Sequence, residues 1–149
     1  MLSIEPNILI VEDCPDDFKA IQGSLLNNWL SLKISHCESG DEALSLIENL
    51  DKTDTLDRIE FDLILLDLNL PGASGKEVLE ELKSNPNLRH IPIFILSTSD
   101  SYIDVEDCYR LGANGYLKKP ILLHEFGDLM SKIKDFWFKT NVLPKTTLH

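Results

Sequence analysis

Apolar residues along this chain fall into two alternating kinds of run. Short, nearly unbroken runs sit at Asn7-Ile8-Leu9-Ile10-Val11, Phe61-Asp62-Leu63-Ile64-Leu65-Leu66-Asp67 and Ile91-Pro92-Ile93-Phe94-Ile95-Leu96. Such runs predict strands covered on both faces, with Pro92 tolerated near a strand start. Between them, apolar residues recur at helical spacing. Phe18, Ile21, Leu25 and Leu26 predict a helix that begins at Cys14-Pro15-Asp16-Asp17. Proline suits the first helical position there, and the acids suit its positive end. Ala43, Leu44, Ile47 and Leu50 predict a second helix after Glu38-Ser39-Gly40, and Val78, Leu79 and Leu82 a third from Gly75 to Ser84, capped by Ser74. A fourth is expected from about Ser101 to Leu111, with Gly112 as its stop. A last helix is expected from about Leu122 to Lys139, with Phe126, Met130, Ile133 and Trp137 inward.

Two weaker strands complete the pattern. Leu32, Ile34 and His36 alternate with Lys33, Ser35 and Cys37, as in a half-buried strand nearer a sheet edge, and Gly115-Tyr116-Leu117-Lys118 forms a short fifth. Residues 51–60 are polar and acidic without a period, which predicts an exposed connection. Strict alternation of five strands and five helices predicts an α/β doubly wound parallel sheet with helices on both faces, in a single domain. The domain is expected over residues 1–140, with 141–149 as a short C-terminal tail and no output domain after it.

Composition narrows the function. A chain of 149 residues is long enough for one real core. The net charge of −11 opposes non-specific binding to nucleic acid or anionic lipid. No apolar run is long enough to span a bilayer, and Met1 to Asn7 lacks the features of a signal peptide, so a cytoplasmic location is expected. Cys14, Cys37 and Cys108 have no metal-ligand spacing and read as reduced packing residues.

The chemistry lies where the strands stop. The first ends on Glu12-Asp13, the third on Asp67, the fourth on Ser97 and the fifth on Lys119. In a doubly wound sheet, the carboxyl ends of parallel strands share one edge, and ligands bind there. Three carboxylates held together repel one another unless a cation joins them. Mg²⁺ suits an all-oxygen site, with Asp13 and Asp67 as direct ligands and Glu12 reaching through water. Mg²⁺, a lysine and a hydroxyl together suit phosphoryl handling, with Asp67 as the nucleophile that forms an acyl phosphate.

At this point the chain resembles the receiver domain of two-component response regulators over nearly its whole length. The matching pieces are Val11-Glu12-Asp13, Leu65-Leu66-Asp67-Leu68-Asn69-Leu70-Pro71, Gly75, the strand from Ile91-Pro92 to Ser97-Thr98, Gly112-Ala113-Asn114-Gly115-Tyr116, and Lys119-Pro120. The resemblance implies a flavodoxin-like fold with strand order 2-1-3-4-5 and phosphotransfer from a histidine kinase to Asp67. It also implies a metal ligand from the backbone carbonyl of Asn69, a Lys119–Pro120 bond that is commonly cis, and a switch pair of Ser97 and Tyr116. The family often has threonine where this chain has Ser97; serine keeps the hydroxyl donor. Asn69 and Ser99 fall where the family tunes dephosphorylation.

The 51–60 connection, the segment Asp67-Leu68-Asn69-Leu70-Pro71 and the stretches Phe136-Trp137-Phe138 and Val142-Leu143-Pro144 are similar to the small response regulators that partner cyanobacterial phytochromes. That narrower resemblance implies a homodimer fed by a light-regulated histidine kinase. Phe136, Trp137, Phe138 and Val142 are its expected apolar seam, and the output is expected to be a protein contact or an onward phosphotransfer. The protein is thus expected to be a phospho-acceptor rather than an enzyme acting on other substrates. The alternative is a receiver-like interaction module that is never phosphorylated. A flavin-binding reading conflicts with the acids after the first strand. An aspartyl phosphatase would need a second acid two residues after Asp67, where this chain has Asn69.

Overall fold

The structure is a computed structural model that describes residues 5–28, 31–54, 56 and 58–142. In chain order the elements are β1 (Asn7–Val11), α1 (Pro15–Asn28), β2 (Lys33–Cys37), α2 (Gly40–Lys52), β3 (Leu63–Leu66), α3 (Gly75–Ser84), β4 (Ile93–Ser97), α4 (Tyr102–Arg110), β5 (Gly115–Lys118) and α5 (Phe126–Ile133). A 3₁₀ turn (Leu123–Glu125) precedes α5 and a π turn (Lys134–Thr140) extends it. The five strands pair in parallel, in the order β2-β1-β3-β4-β5.

The apolar runs of β1, β3 and β4 are continuous because alternate residues feed two cores. On one face Leu9, Val11, Ile64, Leu66, Ile93 and Ile95 meet Ala43 and Ile47 of α2, Val78 and Leu79 of α3, and Cys108 of α4. On the other, Ile8, Ile10, Leu63, Leu65, Phe94 and Leu96 meet Ile21 and Leu25 of α1 and Phe126, Met130 and Ile133 of α5. Burying a Leu or Ile side chain stabilises by about 1.5–3 kcal/mol, so this two-sided division is what holds the sheet between its helix layers. Cys37 and Cys108 are buried within the first core.

Local chemistry sets the ends. Ser39 caps α2 by accepting the Glu42 N–H, and Ser74 and Glu77 form a capping box on α3. Gly112, at φ 108°, closes α4 with the Gly112 N–H bonded to Tyr109 and the Ala113 N–H to Cys108, a Schellman arrangement.

Four details differ from the sequence expectations. Leu26 is half exposed while Leu25 is fully buried, because the seam follows Phe18, Ile21 and Leu25 and the next residue turns away from it. Sheet pairing in the fourth strand begins at Ile93 rather than Ile91; the Ile91 N–H closes a turn onto Leu88, and Pro92 contributes only its carbonyl, to Ile64. The connection after α2 is tied back to the domain: Arg58 donates to the Leu50 and Thr53 carbonyls, Asn7 Nδ2 donates to the Glu60 carbonyl, and Leu56 is exposed between them. The last helix is not uniformly α. From Lys134 its hydrogen-bonding widens, and the Asn141 N–H reaches Phe136. Trp137 and Phe138 pack onto the α1/α5 core, with Trp137 edge-on to Phe94, whereas Phe136 and Val142 are exposed. The expected four-residue seam therefore divides into an inward pair and an outward pair. Leu143, Pro144 and the rest of the expected tail lie outside the described residues.

Candidate functional site

β1, β3 and β5 each continue their backbone pairing one residue past their ends, and this carries Glu12, Asp67 and Lys119 to one edge. The Glu12 N–H bonds Cys37, the Asp67 N–H bonds Val11 and the Lys119 N–H bonds Ser97. Glu12, Asp67, Ser97 and Lys119 are the buried polar residues of the protein's described part. Asp13 is exposed at the mouth.

Lys119 is the centre of the charge distribution. Its Nζ lies 2.7 Å from Glu12 Oε1, 3.0 Å from Asp17 Oδ2 and 3.3 Å from Asp67 Oδ2. Burial works against its charge, but the carboxylates of Glu12, Asp67 and Asp17 outweigh burial and hold the ammonium above its ordinary range. Glu12 goes the other way. Burial, helped by the charge of Asp67, pushes its carboxyl up to about 7 against the opposing Lys119 bond. Its second oxygen accepts the Cys14 N–H at 3.2 Å. On Asp67, Oδ1 faces the Asn69 N–H at 3.4 Å.

The turn after β3 is held from two sides. The Gly40 N–H donates to Pro71, the Gly75 N–H donates to Leu68, and Asp41 Oδ1 accepts the Ala73 N–H at 3.1 Å. A side chain at Gly75 would run into the Asp67 carbonyl, so glycine lets α3 start directly beneath the site.

Beside the acids lies a loop of hydroxyls. Ser97 is fully buried, and its Oγ accepts the Ser99 N–H at 3.1 Å. Ser99 Oγ donates to Asp104 Oδ2 at 2.7 Å, and the Ser99 carbonyl accepts from the Tyr116 hydroxyl at 2.7 Å. Asp104 is in turn ion-paired with Lys76 of α3 at 2.8 Å, and Lys76 reaches Asp107 at 3.0 Å. Ser97 and Tyr116 thus meet through Ser99.

Glu12, Asp13 and Asp67 each present a carboxylate oxygen within 4.8 Å of the others. Three hard oxygen donors, one at a solvent-open position, fit a divalent cation such as Mg²⁺, Mn²⁺ or Ca²⁺. Asn69 lies just after Asp67 on the turn, with its side chain exposed. The residues expected from the strand ends, Glu12, Asp13, Asp67, Ser97 and Lys119, lie at one edge, and Tyr116, from within β5, reaches that edge with its hydroxyl on the Ser99 carbonyl. One expectation is corrected: Lys119–Pro120 is trans, as is every peptide bond among the described residues. Trans is the lower form of an X–Pro bond by about 0.5–1 kcal/mol, and Lys119 reaches the acids from it. Sequence reasoning missed Asp17 as a member of the site. The available signal was Pro15 at the first helical position, which fixes the helix start and puts Asp17 on its first turn, next to the Glu12-Asp13 strand end.

Comparison with known proteins agrees with this geometry. The profile of the response regulator receiver domain matches residues 8–134. Response regulator Rcp1 of Synechocystis is 36% identical over 137 residues, 92% of each chain. The crystal structure of the phosphorylated cyanobacterial phytochrome response regulator RcpA superposes with a TM-score of 0.86 at 35% identity, over 95% of this chain and 100% of that one. The Mn²⁺-bound form of Rcp1 superposes with a TM-score of 0.83 at 34% identity, over 94% and 99%.

Proposed function

The chain belongs to the response regulator receiver domain family, and from that premise we propose that it is a single-domain response regulator. In this reading Asp67 accepts a phosphoryl group from a histidine kinase in a two-component phosphorelay downstream of a phytochrome-type light sensor. The observation that carries it is the convergence of Glu12, Asp13, Asp67 and Lys119 on one sheet edge.

An Asp67 carboxylate oxygen attacks the phosphorus of the kinase phosphohistidine. A P–O bond forms, the P–N bond breaks, and the imidazole leaves with the electron pair, so the product is an acyl phosphate. Lys119 donates to a phosphoryl oxygen, and Ser97 moves its hydroxyl toward another. Mg²⁺, held by Glu12, Asp13, Asp67 and the Asn69 carbonyl, would offset the negative charge that gathers on the phosphoryl oxygens. The added charge, roughly −1.5 to −2, draws Ser97 off the Ser99 N–H and releases Tyr116 to repack inward. The face formed by α4, β5 and α5 then changes between two states.

The receiver occupies residues 1–140, the protein acts in the cytoplasm, and its activity is that of a phospho-acceptor passing the signal to a downstream protein or phosphotransfer partner. Exposed Phe136 and Val142 support a homodimer. Changing both to aspartate is expected to lower the mass seen by light scattering to that of a monomer; an unchanged mass removes the seam.

Intact-protein mass after incubation with acetyl phosphate tests the acceptor. The expected result is a Mg²⁺-dependent gain of one phosphoryl group in the wild type and none in Asp67→Asn. A variant that labels as the wild type does would overturn the assignment.

A further inference from the structure

An ammonium group has three N–H donors and no more. In this protein all three face carboxylates: Glu12, Asp17 and Asp67. The Lys119 side chain is only 6% exposed, so the direction of each donor is set by the protein. Glu12 and Asp17 are themselves held by one rigid corner. Phe18, the residue after Asp17, stacks face to face on His36, with ring centroids 3.6 Å apart and planes 6° from parallel. His36 Nε2 in turn lies 2.8 Å from the Glu12 carbonyl oxygen. The first turn of α1, the end of β2 and the backbone of Glu12 therefore form one unit with two carboxylates fixed on it.

We propose that Asp17 is a positioning residue: together with Glu12 it holds two of the Lys119 N–H donors and so aims the third at the Asp67 carboxylate and at the phosphoryl group it receives. The proposal rests on the phospho-acceptor reading above. The longest of the three contacts, 3.3 Å to Asp67, is the one to be exchanged for a phosphoryl oxygen; the shorter bonds to Glu12 and Asp17 stay. Without Asp17 the ammonium settles between Glu12 and Asp67, against the same oxygens a cation would use. The role carries a sign that distinguishes it from simple electrostatics. A carboxylate near an incoming anion repels it, so removing Asp17 should favour an anion unless Asp17 acts through Lys119.

Titration of the full-length protein with beryllofluoride in the presence of Mg²⁺, read by ¹⁹F NMR, tests this. Asp17→Ala is expected to weaken the complex about tenfold, in keeping with loss of one charge-assisted hydrogen bond. Asp17→Asn, whose amide oxygen still accepts from the ammonium, should fall between Asp17→Ala and wild type. In a Lys119→Met background, Asp17→Ala should leave binding unchanged or tighten it. Thermal unfolding of each variant shows that it is folded. Two results overturn the positioning role alone: Asp17→Ala binding as tightly as wild type, or weakening equally with and without Lys119. A wild-type protein that takes up no beryllofluoride overturns the acceptor reading itself, and the positioning role falls with it.

Discussion

Two neighbouring regions of the same sheet edge are built from opposite materials. The acid pocket at the ends of β1, β3 and β5 is built on buried ionisable groups, Glu12 and Asp67, each within reach of the buried ammonium of Lys119. The loop from β4 to α4 consists of serine and tyrosine hydrogen bonds backed by the Lys76–Asp104 pair, both of whose side chains are 32% exposed. A buried charge that leaves its partner is left uncompensated, at several kcal/mol. A hydroxyl that leaves a half-exposed partner exchanges it for water, and the net change is about 1 kcal/mol. The pocket is therefore suited to hold its geometry while its charge changes, and the loop is suited to move in response.

The sharpest way to break this contrast is to remove the central charge. Lys119→Met is expected to lower unfolding free energy by about 3–5 kcal/mol at pH 8, seen as a lower urea midpoint. The loss should be smaller at pH 6, where Glu12, no longer held down by the lysine, takes up a proton. A loss under 1 kcal/mol at pH 8 would mean that the pocket is no stiffer than the loop.

A second test uses pH on the wild type. Burial raises the folded Glu12 carboxyl from its ordinary 4.5 to about 7. Between those values the folded state binds more protons than the unfolded state, so this group's contribution to stability falls as pH rises from about 4.5 to 7. The metal-free protein should show that decline, and Glu12→Gln should flatten it; equal slopes in the two proteins would remove Glu12 as the cause. Acids held down by hydrogen bonds to lysines, such as Asp100 and Asp104, change their contribution only below the ordinary carboxylate range, so they add no slope in this window, and the difference between the two proteins isolates Glu12.

The smallest effect belongs to the loop. Lys76→Met should change stability by only about 0.2–1 kcal/mol. It should nevertheless speed labelling by acetyl phosphate, because it loosens Asp104 and through it Ser99, whose N–H must release Ser97. A labelling rate equal to wild type would place the restraint on Ser97 elsewhere.

Much of this was readable in the chain because strand ends are local events. Val11-Glu12-Asp13 and Leu66-Asp67 each mark the residue at which an apolar run stops, and parallel connectivity then gathers those residues on one edge. What depends on distant pairing was not readable. Asp17 looks like any acid on a first helical turn; its partner is 102 residues away, and no periodicity links the two. The hub at Ser99 joins α3, α4 and β5 through side-chain geometry that no strand or helix pattern encodes. The widened turn after Ile133 was hidden for another reason. Phe126, Met130, Ile133 and Trp137 fit an α spacing well enough that the change of hydrogen-bond step leaves no mark on the sequence.

That widened turn also sets a bearing. A π turn is an α-helix carrying one residue more than its ladder needs. Winding the same residues, Lys134 to Thr140, at the ordinary α step with none deleted would put the surplus residue into the ladder and rotate everything beyond by about 100°. Phe94 and Trp137 could keep their contact while Val142 pointed to a different side of the protein. The surplus residue works as a vernier on the helix: it adjusts the angle at which the chain leaves the domain and leaves the packing behind it intact.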